Sequence, residues 1–137
     1  EYEQYYRDMF EQAGLHISFL ITPQTSEERI RKVDELTKGF IYMVSNSSIT
    51  GAKNTISDLQ LSYFNRINAL QLKNPRLIGF GISSHETFET ACQYANGAII
   101  GSAYIKMLAK AEDIEKGTQL FVQKIKGEIP TKLQYMV

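Results

Sequence analysis

Cysteine is nearly missing from this chain. Cys92 stands alone among 137 residues, which excludes an internal disulfide and fits a reducing compartment such as the cytosol. Net charge is missing too: 15 basic residues balance 15 acidic ones, which argues against a nucleic-acid or anionic-membrane surface as the main role. No apolar run approaches the ~20 residues of a membrane span. The start, Glu1-Tyr2-Glu3-Gln4-Tyr5-Tyr6, is polar and aromatic and lacks the pattern of a signal peptide. Clusters of Cys, His and acids at metal-ligand spacing are absent, as are low-complexity stretches and linkers. What remains is an ordinary globular composition, 43% hydrophobic and 22% charged, long enough for one domain with a real core.

Two glycine turns punctuate the second half. Gly79-Phe80-Gly81 closes the apolar run Arg76-Leu77-Ile78, and Gly101-Ser102 closes Ala98-Ile99-Ile100. Each turn then opens a helix-like pattern. Glycine lets a backbone approach a ligand, and a helix N-terminus offers unpaired N–H groups and the positive end of its dipole. In a (β/α)8 barrel a phosphate site often lies after the seventh and eighth strands, beside a short extra helix.

The remaining chain supplies matching units. Tyr2, Tyr5, Tyr6, Met9 and Phe10 share helical spacing over 1–13, with Gly14 as a stop. A buried strand is expected over 17–22, ended by Pro23. Thr25-Ser26-Glu27-Glu28 reads as a capping box with Thr25 at the N-cap and Glu28 at N3. It starts a helix with Ile30, Val33 and Leu36 on one face, ending near Gly39. Strand 40–44, a polar loop over 45–57 and helix 59–72 follow, stopped by Asn74-Pro75. Strand 76–80 leads to a second capping box, Ser83-Ser84-His85-Glu86, whose helix runs to about Tyr94. Asn96-Gly97 turns into strand 98–100, and helices over 102–111 and 114–126 complete the chain.

A helix, then βα four times, then an extra helix specifies an α/β fold of parallel βα repeats. Four strands are half of a TIM (β/α)8 barrel, and 137 residues are about half of its typical ~250. The expected organisation is one domain over 1–137, the C-terminal half of the barrel from its fourth helix to its eighth.

Function in such folds lies at the C-terminal ends of the strands. Those ends carry Thr22-Pro23-Gln24, Tyr42 with the loop 45–52, Phe80-Gly81-Ile82-Ser83 and Gly101-Ser102-Ala103. They offer glycines, hydroxyls, amides and aromatic rings, with no carboxylate. His16 precedes its strand and His85 sits in a capping turn. The reading is a binding site without an evident general acid or base. Blander roles stand beside it: Tyr42 as a core aromatic, Ser102 as an N-cap, Cys92 and His85 as structural or exposed, and Lys106 as exposed.

The motifs together resemble the tryptophan synthase alpha chain family. Tyr42-Met43-Val44-Ser45 with Ile49-Thr50-Gly51-Ala52 is similar to its sixth strand and mobile loop. Gly79-Phe80-Gly81-Ile82-Ser83 and Ala98-Ile99-Ile100-Gly101-Ser102-Ala103 are similar to its seventh- and eighth-strand turns. Thr22-Pro23 before Glu27-Glu28-Arg29-Ile30 matches the segment after the fifth strand. The resemblance implies a lyase of tryptophan biosynthesis that cleaves indole-3-glycerol phosphate to indole and glyceraldehyde 3-phosphate. It implies as partner a beta chain, which is the subunit that uses pyridoxal phosphate. It also implies that Gly51, Gly81, Gly101 and Ser102 bind phosphate, that Phe80 lines the indole pocket, that Tyr42 faces substrate and that Thr50 belongs to the closing loop. The family's catalytic glutamate and aspartate lie in the other half of the barrel, so no catalytic residue is assigned here. Asn46 and Ser48 stand where the family usually has Arg and Gly.

Two other readings are a half-barrel with a binding or assembly role alone and another phosphate-binding barrel. A Schiff-base aldolase needs a strand-end lysine, and no Lys lies in the expected strands. An isomerase of the histidine-biosynthesis type needs an Asp after the fifth strand, where Thr22-Pro23 stands. Unpaired outer strands and an open inner face would also favour self-association.

Overall fold

A computed structural model describes residues 1–45, 57–79 and 81–128. Its elements are a π-helical turn Tyr2–Tyr6 continuing into α1 (Arg7–Gln12), β1 (Leu20–Ile21), α2 (Glu27–Leu36), β2 (Ile41–Val44), α3 (Asp58–Ala69), β3 (Arg76–Gly79), α4 (His85–Tyr94), β4 (Gly97–Ile99), α5 (Ser102–Leu108) and α6 (Ile114–Lys126). The four strands form one sheet in the order β1-β2-β3-β4, and every pair is parallel. The expected alternation and strand direction are therefore present.

Register explains the core. Successive side chains of a strand point to opposite faces. The pairings Ile21↔Met43, Met43↔Ile78 and Ile78↔Ala98 place one row of side chains on one face. That row packs with Ile30 and Val33 of α2, with Tyr63, Phe64 and Ile67 of α3, and with Ala91 of α4. Ile21, Ile41, Met43 and Ile78 are each 0% exposed. The alternate row, Leu20↔Tyr42, Tyr42↔Leu77 and Leu77↔Gly97, lies on the other face. Leu20 there is 61% exposed, so no helix layer covers its end of that face among the described residues.

Several boundaries differ from the sequence expectation. The N-cap of α2 is Ser26, whose hydroxyl accepts from the Arg29 N–H. Thr25 is drawn away because its hydroxyl accepts the Thr22 N–H at 2.9 Å. The N-cap of α4 is Ser84, one residue later than Ser83, and its box partner is Thr87 instead of Glu86. Hydroxyls at Ser84 and Thr87 satisfy each other's backbone N–H, so no carboxylate is needed. Of the strand expected over 17–22, only Leu20–Ile21 joins the ladder, although residues 17 and 19 still accept backbone bonds from Lys38 and Tyr42. The helix expected over 59–72 ends at Ala69, and Gln71 then adopts a positive φ of 50°.

Long-range polar contacts tie the units together. Asp34, near the end of α2, accepts from the backbone N–H groups of Lys73 and Asn74 and from the Asn74 amide, at 2.8–3.0 Å. Desolvation pushes the Asp34 carboxyl up, but these donors outweigh it and hold the group below its ordinary value. Asn96 pins the start of β3, accepting the Arg76 N–H and donating to the Arg76 carbonyl. His85 Nδ1 lies 2.9 Å from the Ile125 carbonyl, linking the start of α4 to the end of α6.

Because the folded carboxyl of Asp34 is depressed, its contribution is present above the unfolded carboxylate range and disappears as pH falls through the lower folded value. Asp34→Ala is expected to cost about 1–3 kcal/mol at neutral pH, from lost hydrogen bonds to a charged acceptor. Urea melts of both proteins should converge as pH falls below the depressed folded value. A difference that persists unchanged into acid would contradict this account.

Candidate functional site

The site is built where β2, β3 and β4 end side by side. Tyr42 lies on the face opposite the helix-covered core, in the row with Leu77. Its phenol leans toward the C-terminal end of β3, and a Cβ built on Gly79 would overlap the Tyr42 ring and hydroxyl. Gly79 therefore serves close approach: its missing side chain is the space in which the Tyr42 ring lies. Tyr42 is half-buried, so its role is neither that of a core side chain nor that of a freely solvated one.

Ser45 secures this corner. Its N–H donates to the Gly79 carbonyl at 3.1 Å, and its hydroxyl donates to the same oxygen at 2.7 Å. Ser45 is 2% exposed. The double contact clamps the end of β2 to the end of β3. Sequence reasoning placed Ser45 in a loop and missed the clamp, because its partner lies 34 residues away.

Gly81 follows β3 with φ of +75°, a conformation that favours glycine. Ile82, next in sequence, turns into the core at 5% exposure and anchors the turn. Gly101 and Ser102 follow β4 and are exposed. Gly101 is the N-cap residue of α5, and Ser102 is the first helical residue, with no side-chain cap bond at this end. The N-cap reading of Ser102 is thus shifted by one position. The space where a Cβ of Gly101 would stand holds no atom within 4 Å. Since Gly79 pairs with Ile99, residues 81 and 101 leave adjacent strands at the same level. Thr50, Gly51 and Phe80 lie outside the described residues, as do Asn46 and Ser48.

Beside β1 the chain is held for geometry. Thr22, Pro23 and Thr25 form a hydroxyl-bridged turn. Arg66 of α3 donates to the Pro23 and Thr25 carbonyls at 2.9 and 3.0 Å. The Tyr63 hydroxyl donates to the Ile21 carbonyl at 3.2 Å, and burial pushes that phenol well above its ordinary range. Tyr63 is thus a neutral donor at physiological pH. These anchors carried no sequence signal beyond their place on a helix.

The described residues directly after the strands, Thr22 to Gln24, Ser45, Gly81 to Ser84, and Ile100 to Gly101, include no carboxylate. No group of three His, Cys, Asp or Glu side chains gathers to hold a metal among the described residues. Also among them, no helix is long and apolar enough to cross a membrane. The geometry brings glycine-lined backbone and a phenol to one sheet face.

Comparison with known proteins agrees with this architecture. Residues 1–132 match the family model described as "Tryptophan synthase alpha chain". The tryptophan synthase alpha chain of Christiangramia forsetii is 50% identical over 126 residues, covering 92% of this chain and 48% of that protein. The solved tryptophan synthase α-subunit of Pyrococcus furiosus superposes with a TM-score of 0.72 at 26% identity, covering 92% of this chain and 51% of that one. A chain from the structure of the tryptophan synthase α2β2 complex of the same organism superposes with a TM-score of 0.71 at 28% identity, covering 89% and 50%. The chain spans about half the length of the curated relatives it matches.

The packing of Tyr42 on Gly79 has a direct test. Gly79→Ala should destabilise the fold by about 1–3 kcal/mol, as overpacking does. In a Tyr42→Ala background the same change should cost clearly less, because the clashing ring is gone. Denaturant melts of the four proteins measure the coupling, and strict additivity would show that the ring does not occupy that space.

Proposed function

Since the chain belongs to the tryptophan synthase alpha chain family, its four βα units being those of a (β/α)8 barrel, we propose that it supplies the phosphate- and indole-binding half of the site that cleaves indole-3-glycerol phosphate to indole and glyceraldehyde 3-phosphate. The observation that carries the proposal is the alignment of the β3 and β4 ends, with Gly81 at positive φ and open space above Gly101. Backbone N–H groups near Gly81, Gly101 and Ser102 would hold the phosphate, since such concave backbone sites favour dianions. Gly51 would join them from its loop. Tyr42 would face the substrate, Phe80 would border the indole ring and Thr50 would belong to the closing loop.

Mechanistically this half binds and orients. Cleaving the bond between the indole ring carbon and the glycerol carbon needs a base to take the proton of that carbon's hydroxyl as it becomes the aldehyde and an acid to protonate the ring carbon, and the described strand ends hold no carboxylate for either task. In the full reaction those groups would come from the complementary half of the barrel. The beta chain is the proposed partner that receives indole, in keeping with the α2β2 assembly of the Pyrococcus furiosus protein.

Two measurements test this. Titration with glycerol phosphate should shift the amide resonances of Gly81, Gly101 and Ser102, and no shift at millimolar ligand would overturn the site. The 137-residue polypeptide alone should show no family-like turnover of indole-3-glycerol phosphate, because general acid and base each contribute about 10²–10⁴-fold. Measured turnover at a family-like rate would overturn the division of roles.

The uncovered row at Leu20 also predicts self-association of this polypeptide. Sedimentation at micromolar concentration should show a dimer or larger species, and a monomer with a cooperative melt would refute it.

A further inference from the structure

A cavity lies where the start of α4 meets α5 and α6. It has a volume of about 570 Å³, inside the roughly 300–1,000 Å³ of small-molecule sites. Its lining includes neither Gly81, Gly101 nor Ser102, although Ser83 and Ala103 bring its rim next to them in sequence.

The chemistry of the lining is divided. Met107 of α5 and Leu120 and Phe121 of α6 supply an apolar floor. Lys106 of α5, Lys110 in the turn that follows α5 and Lys124 of α6 supply three cations. Lys106 and Lys110 are four residues apart in sequence and both border the cavity. Both are exposed, and neither has an ion-pair partner among the described residues. Glu86 is the one carboxylate on the lining. It is engaged at the start of α4, by its own N–H and the Ser84 hydroxyl, which hold its carboxyl below the ordinary value. The cleft therefore carries a net positive charge over an apolar bed.

The α5–α6 wall is closely built. Gly117 of α6 lies so near α5 that a Cβ on it would sit 3.1 Å from the Ala111 Cβ and the Met107 sulfur. The Tyr104 hydroxyl lies 2.9 Å from the Thr118 hydroxyl, and the Tyr104 and Phe121 rings are 5.5 Å apart. Tyr104 thus backs Phe121 and steadies the floor.

We propose that this cleft binds a small aromatic carboxylate, its ring on Met107, Leu120 and Phe121 and its carboxylate between Lys106 and Lys110. A ring suits the thioether and the phenyl floor, since sulfur and aromatic edges attract π-systems. The carboxylate answers the charge of the two lysines. A bare phosphate would leave the floor unused, and a neutral ring would leave the charge unanswered.

The test uses naphthalene-1-acetate as probe on the isotopically labelled chain, with the alcohol analogue as neutral control. The expected result is saturable shifts of α5 and α6 amides that glycerol phosphate does not displace. The double variant Lys106→Gln/Lys110→Gln should weaken binding about fivefold, and the neutral analogue should bind about as weakly. Both lysines are exposed, so the variant should keep the parent circular dichroism spectrum. Shifts confined to the strands, affinity unchanged in the double variant, or no saturation up to about 10 mM would each overturn the proposal.

Discussion

Everything in this structure depends on the pleat of a parallel sheet held in strict register. Ile21, Met43 and Ile78 pair across three strands, so one face becomes a continuous apolar row. Each such side chain contributes about 1.5–3 kcal/mol on full burial. The helices gather on that row because it is where their own apolar faces can be buried. A slip by one residue would send the row to the opposite face and uncover α2, α3 and α4 together. The same alternation that buries Met43 turns Tyr42 and Gly79 the other way. The candidate face is thus oriented by the register that builds the core.

Hydrogen bonds then fix what register alone leaves loose. Ser45 holds the end of β2 on the Gly79 carbonyl. Arg66 and Tyr63 hold the turn after β1 from α3, the helix that follows the next strand. Asp34 holds the approach to β3 from the end of α2. In the last two cases a later or earlier helix steadies a neighbouring unit. The surface ion pairs, such as Arg31 with Glu27, are exposed and add little to this.

Much of this order was legible in the residues. Apolar runs bounded by Gly and Pro placed all four strands, because buried parallel strands need uniform apolar character and abrupt ends. The bounds of α6 were read to the residue, since Asp113 caps it and Gly127 ends it. The caps of α2 and α4 slipped by one for a physical reason: Thr25, Ser26, Ser83 and Ser84 are all able to cap, and only tertiary contacts choose among them. Thr22 takes the Thr25 hydroxyl, leaving Ser26 to the helix. The glycines of the candidate site announced themselves through their spacing. The fit of Tyr42 over Gly79 and the Ser45 clamp did not, because they join residues far apart in sequence and carry no local pattern.

The order of strands in the sheet is also their order along the chain. Each strand after β1 therefore pairs with the strand that precedes it in the chain, and no strand is inserted between two others. The contact of His85 with Ile125 spans 40 residues and reaches back past β4 and α5. Losing α6 would therefore loosen the start of α4 as well, so α6 acts as a latch on an element two units earlier.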